Sequence, residues 1–125
     1  MKGIVITTGN ELSVQDFGEP LYQTIGKVVG GYIEVVHPKG LPEPYCMVVN
    51  EEGLLENLPA NPMGCYLYQT HIHGCPIVGN LVIMKTGMTP YGMDLVGLSD
   101  LEIGRLTETL LHCPWPVLHR KEAMV

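Results

Sequence analysis

The sequence predicts an α+β domain, with a mainly antiparallel sheet and two helices packed on one face. Three observations carry this. Val28-Val29-Gly30-Gly31-Tyr32-Ile33-Glu34-Val35-Val36 reads as a helix end, a glycine turn and a strand. Asn50-Glu51-Glu52-Gly53 reads as a tight reversal after a further strand, with Gly53 at positive φ. Ser99-Asp100-Leu101-Glu102 is a capping box opening an apolar helical face.

In chain order, Gly3–Thr8 is rich in β-branched residues and predicts the first strand, closed by Gly9-Asn10. Leu12–Phe17 suits either a second short strand or a connector. Pro20 fits the first turn of a helix, and Leu21, Ile25, Val28 and Val29 recur at helical spacing. Tyr32–Val36 follows as a strand, with Tyr32, Glu34 and Val36 on one side and Ile33 and Val35 on the other. Pro38–Pro44 is a proline- and glycine-rich loop, and Tyr45–Val49 is the third clear strand. Leu58-Pro59-Ala60-Asn61-Pro62 breaks regular structure. Gly64–His73 alternates Tyr66, Tyr68 and Thr70, which predicts a strand. Ile77–Met84 is a strong strand signal, interrupted by Gly79-Asn80. Gly87–Gly97 reads as a loop. Leu101, Ile103, Leu106, Leu110 and Leu111 form the second helical face, ended by Pro114 and Pro116. The domain is expected over 1–113, with 114–125 a tail that is frayed or used in assembly.

A length of 125 residues suits one domain and falls short of two. Hydrophobic residues make up 46% and charged residues 16%, a globular balance with little charge to keep a monomer soluble, so a homo-oligomer is expected. The net charge of −6 and only seven Lys and Arg argue against duplex nucleic acid as a partner. No apolar run approaches the roughly 20 residues that span a bilayer, and the N-terminus lacks a signal-peptide pattern. A cytoplasmic protein without a membrane partner is expected. The four cysteines form no CxxC and are expected as reduced, mostly buried thiols.

Several short motifs, taken in order, resemble a family of small proteins carried by phages and conjugative elements of Gram-positive bacteria, catalogued as a domain of unknown function. They are Val28–Val36, Val49–Gly53, Leu54–Asn61, Pro76–Ile83 and Gly97–Leu106. The His71–Cys75 stretch and the segment after Cys113 lie outside the pattern. The resemblance implies a mobile-element origin and brings no enzymatic activity, ligand or active site with it.

Among chemistry-bearing residues, His71, His73 and Cys75 would share one face of a strand, and imidazole and thiolate suit zinc. A fourth ligand would have to come from Glu34, His37, Glu51, Glu52 or His112. Adjacent His112 and Cys113 make a poor base–nucleophile pair, because neighbouring side chains point apart. Glu51 and Glu52 read as solvated turn residues, and Gly30-Gly31 lacks the spacing of a phosphate loop. Tyr66, Tyr68 and Tyr91, with Trp115, are candidates to stack on a planar ligand, with Asn80, Asn61, Thr70 and Thr89 supplying hydrogen bonds. No catalytic residue is assigned. The expected function is a non-enzymatic binding protein that captures a small host signalling nucleotide or blocks a host defence protein. Two alternatives stand beside it: a metal-dependent hydrolase using zinc at His71, His73 and Cys75, and a pure protein–protein adaptor.

Overall fold

The computed structural model describes residues 1–121 of the chain. It bears out the α+β class and the mainly antiparallel sheet. Strands β1 (Lys2–Ile6) and β2 (Glu11–Asp16) form a hairpin. Helix α1 (Leu21–Val29) follows, with Pro20 in extended conformation at its N-cap. Gly30 closes the helix at φ 89°, a left-handed geometry that costs a glycine nothing, and its N–H bonds Gly26 O. A second hairpin joins β3 (Ile33–Val36) to β4 (Tyr45–Asn50) across the 37–44 loop. Helices α2 (Pro62–Tyr68) and α3 (Thr70–His73) come next. A third hairpin, β5 (Leu81–Thr89) and β6 (Gly92–Val96), leads into α4 (Asp100–Leu111) and the short β7 (His119–Arg120).

The sheet order is β3-β4-β5-β1-β2-β7, with β6 also paired to β5. Lys85 opposes Tyr45 on one side and Val96 on the other, so β6 and β1 lie end to end along the same side of β5. Every pairing is antiparallel except β2 with β7.

The period-2 alternation of the strands divides the core between two faces. Ile4, Ile6, Met47, Val49, Leu81 and Ile83 meet Met63 and Leu67 of α2 and Leu106 and Leu110 of α4. Val5, Cys46, Val48, Val82 and Met84 meet Ile25 and Val29 of α1 together with Phe17. The helices therefore number four among the described residues and cover both faces, where two on one face were expected. The central strands read as unbroken apolar runs because both of their faces are buried.

Other expectations need correction. Gly64–His73 is helical, not extended. Asn61 caps α2 by accepting the Gly64 N–H, Pro62 sits in its first turn, and Met63 and Leu67 are buried one turn apart. That spacing outweighs the alternation of Tyr66, Tyr68 and Thr70, of which only Tyr68 packs against the core. Residues 87–97 are largely strand, because β5 runs on past Gly87 and turns back at Gly92, whose φ is 107°. Gly53 does not take a positive φ; the left-handed residue of that reversal is Asn57, at φ 56°. A Cβ at Gly53 would lie 2.7 Å from Val78 Cγ2, so a side chain there would have to displace that methyl. The segment expected to be a tail returns to the sheet through β7 and buries Leu118; residues 122–125 lie outside the described chain. All four cysteines are free, but only Cys46 is buried, and that burial pushes its thiol pKa up to about 11.

Candidate functional site

An apolar cavity of about 340 Å³ lies on the α2/α4 side of the sheet. Met63 and Leu67 from α2 form one wall, Leu106 and Leu110 from α4 the other, and Gly40-Leu41-Pro42 the third. Spacing of four residues on each helix aims both apolar pairs inward. The loop is pinned by Gly40 N–H bonding Leu67 O at 2.9 Å. A Cβ at Gly40 would lie 2.7 Å from that oxygen, so only glycine allows the approach. Tyr66 stands half-exposed at the rim, and Thr109, His112 and Cys113 supply the polar atoms.

Those polar atoms are not a catalytic pair. His112 Nδ1 is 2.7 Å from Glu108 O, one turn back on its own helix. The Cys113 thiol donates to Trp115 O at 3.1 Å. Each is committed to a separate carbonyl, and no bond joins the imidazole to the sulfur.

The proposed metal ligands lose the strand that would have aligned them. His71 and His73 lie on α3, where residues two apart point to opposite sides. His73 is engaged at both nitrogens: Nε2 donates to Tyr68 O at 2.7 Å, and Nδ1 accepts the Cys75 N–H at 3.1 Å. Its ring also meets Tyr68 edge-on at 4.6 Å. It fastens the α2–α3 turn. Among the described residues no three His, Cys, Asp or Glu side chains are grouped to hold a metal.

The candidate ligand-binding residues do not converge. Tyr66 borders the α2/α4 cavity, whereas Tyr68 borders a smaller cleft near β3. Tyr91 is 98% exposed at the tip of the β5–β6 hairpin. Asn80 is structural: its Oδ1 accepts the Thr8 N–H, and its amide reaches Val28 O. Thr70 and Thr89 bond the nearby carbonyls of Cys75 and Gly92. Asn61, wholly buried, spends its side chain inside the core.

Two polar constellations escaped the sequence reading. Glu102 accepts from Lys85 Nζ at 2.7 Å, Tyr45 Oη at 3.0 Å and Ser99 N–H at 3.0 Å. The Lys85 bond, followed by the Ser99 backbone, holds its carboxyl at a pKa of about 2. Burial, then the Glu102 carboxylate, raises the Tyr45 phenol above its ordinary value. This cluster clamps the start of α4 to β4 and β5. Asn50 does the same for α1: its amide donates to Val29 O, and its Oδ1 accepts the Glu52 N–H. Asn50 was visible only as a turn residue, and Glu102 only as the closing residue of a capping box. Their long-range partners left no local signal.

Residues 1–111 match the DUF3846 family, described as a domain of unknown function. The chain belongs to that family. The matched span takes in the first hairpin and the His71–Cys75 stretch, both outside the motif pattern, and stops before Cys113. No curated protein and no solved structure matches the chain. No helix among the described residues is long and apolar enough to cross a membrane.

Proposed function

We propose that the chain is a non-catalytic binding protein of a phage or mobile element, holding a small host molecule in the α2/α4 cavity. The observation that carries this reading is the cavity: about 340 Å³, walled by Met63, Leu67, Leu106 and Leu110, with Tyr66 at its rim. That volume is within the range of small-molecule sites, which are mostly apolar with a few polar groups. Neither Lys nor Arg lines it, and the Nδ1 side of His112 is already spent on Glu108 O. A nucleotide's phosphates would find no countercharge there. The reading therefore narrows from a signalling nucleotide to its neutral part, a planar ring system of one or two rings stacked on Tyr66. The mobile-element origin rests on the motif resemblance, and the expected self-association rests on the low charge.

The test is ligand-observed NMR with neutral one- and two-ring heteroaromatics, together with native mass spectrometry of the freshly purified protein. Leu110→Trp fills the cavity, and Tyr66→Ala removes the stacking surface. Binding in the wild type that Leu110→Trp abolishes and Tyr66→Ala weakens supports the reading. A wild type that binds none of them and copurifies with nothing removes it.

A further inference from the structure

The outer edge of β3 is open. The strand ends the sheet, and among the described residues its only partner is β4. The hydrogen-bonding phase of this edge follows from the neighbouring bonds. Glu51 N–H bonds Tyr32 O at 2.9 Å, and Thr86 N–H bonds Pro44 O at 3.0 Å. Antiparallel ladders alternate bonded and non-bonded pairs. Glu34 and Val36 therefore spend their backbone groups on Val49 and Met47. The N–H and C=O of Ile33 and Val35 point outward, and no backbone group elsewhere in the described chain meets them.

A concavity lies on each side of this one strand. On the α2/α4 face, a slot of about 120 Å³ is bordered by Glu34, Val36, Glu51, Leu54 and Tyr68. On the α1 face, a broader cleft of about 650 Å³ is bordered by Tyr22, Lys27, Tyr32, Ile33 and Glu51. Tyr22, Tyr32 and Leu54 are exposed at these concavities, and Val35 is exposed on the strand between them. A strand laid against β3 would send alternate side chains to the two faces, and so into the two concavities.

We propose that the β3 edge docks an extended segment of another protein by strand addition, with a Lys or Arg entering the slot and an aromatic or aliphatic residue entering the Tyr22/Tyr32 cleft. Charge complementarity selects this guest. Glu34 and Glu51 border the slot, Glu52 follows them, and the chain carries −6 overall. The narrow slot takes the aliphatic stem of a basic side chain while its head reaches the carboxylates. Backbone bonds to Ile33 and Val35 supply affinity, and the alternating side chains supply selectivity. A second copy fits less well. Pairing two β3 strands about Glu34 sets that carboxylate against its own copy, and like charges directly opposite are destabilising. Centring the pair on Val35 instead sets Glu34 against Val36, with no cation to meet it. This site is separate from the α2/α4 cavity and does not depend on it.

The probe is an acetylated, amidated eight-residue peptide of alternating lysine and valine with one valine replaced by tyrosine. Its control carries N-methyl groups on the backbone nitrogens that would face β3. Binding is followed by NMR and by amide hydrogen exchange of the 125-residue protein. Saturating peptide is expected to slow exchange at the Ile33 and Val35 amides at least tenfold, and the N-methylated control is expected to have no effect. Glu34→Lys should weaken binding at least tenfold without changing the thermal midpoint. Val35→Pro removes an outward N–H, a change edge strands tolerate, and should abolish the protection that remains measurable at the Ile33 amide. Unchanged exchange at Ile33 and Val35, or binding indifferent to Glu34→Lys, overturns the proposal. Protection of the same amides that rises with protein concentration in the absence of peptide also overturns it, because a second copy then holds the edge.

Discussion

Replacing Asn61 with alanine should be among the most damaging single changes this fold can suffer. Asn61 is fully buried. Its Nδ2 donates to Ile6 O and Gly79 O, both at 3.0 Å, and its Oδ1 accepts the Gly64 N–H at 3.0 Å. One side chain thus joins the end of β1, the turn before β5 and the start of α2. Alanine removes an N-cap, a loss of about 1 kcal/mol. It also strands two buried carbonyls, at about 1–2 kcal/mol each even where their second lone pair finds help. The sum is about 3–5 kcal/mol, a large share of the roughly 5–15 kcal/mol that stabilises a domain of this kind. With an unfolding entropy of about 2.1 cal/mol/K per residue, the melting midpoint should fall by about 10–20 °C. Urea unfolding followed by circular dichroism measures the free energy directly. Asn61→Asp isolates the donors, because it keeps the cap acceptor and turns a carboxylate toward two carbonyls. That carboxyl is favoured when protonated, so its folded-state pKa lies above the unfolded value of about 3.9. The variant should be most stable below that pH and lose stability as pH rises through the folded pKa. A loss under about 1 kcal/mol for Asn61→Ala, at unchanged denaturant slope, would refute the reasoning, since typical exposed polar changes fall in that range.

Glu102, at about 2 in the fold against about 4.3 unfolded, contributes stability present above pH ~5 and lost as pH falls toward 2. Glu102→Gln should flatten that acid limb in pH-dependent thermal melts and cost about 1–2 kcal/mol at neutral pH, since the partly exposed Lys85 pair is screened by solvent. Leu118→Ala should cost about 2–4 kcal/mol in urea unfolding, because Leu118 packs into the α2/α4-side core despite following the last helix. Equimolar zinc should leave the melting midpoint within about 1 °C of the metal-free value, as a site that bound it tightly would raise the midpoint by mass action. A rise of several degrees that His73→Ala removes would restore the metal reading.

Much of the fold was legible in the sequence because its signals are local. The β-branched runs of β1, β3 and β4 need only their own pattern, and Gly30 ends α1 whatever lies beyond it. The Ser99–Glu102 box starts α4 through bonds spanning three residues. Where two local patterns competed, sequence alone chose wrongly: the Tyr66-Tyr68-Thr70 alternation resembles a strand, and burial of Met63 and Leu67 against the sheet decides for a helix. That one reversal also dispersed the His71, His73 and Cys75 face, which existed only if the segment was extended. The ligand-binding candidates are separated for a different reason. Tyr66, Tyr68, Asn80 and Tyr91 are suitable residue types, but chain topology sends them to a cavity rim, a cleft, an internal turn and a hairpin tip.

What the sequence determined by itself is the α+β class, the end of α1 at Gly30, the capping-box start of α4 and the alternation of Ile33 to Val36 along β3, because each is set by interactions within a few residues. Which face each helix covers, that Leu118 returns to the core, and where the cavities open were decided only by the tertiary structure. Those properties depend on contacts between residues tens of positions apart, such as Asn61 with Ile6 and Lys85 with Glu102. No local pattern encodes them, since they form only when the sheet brings its hairpins together.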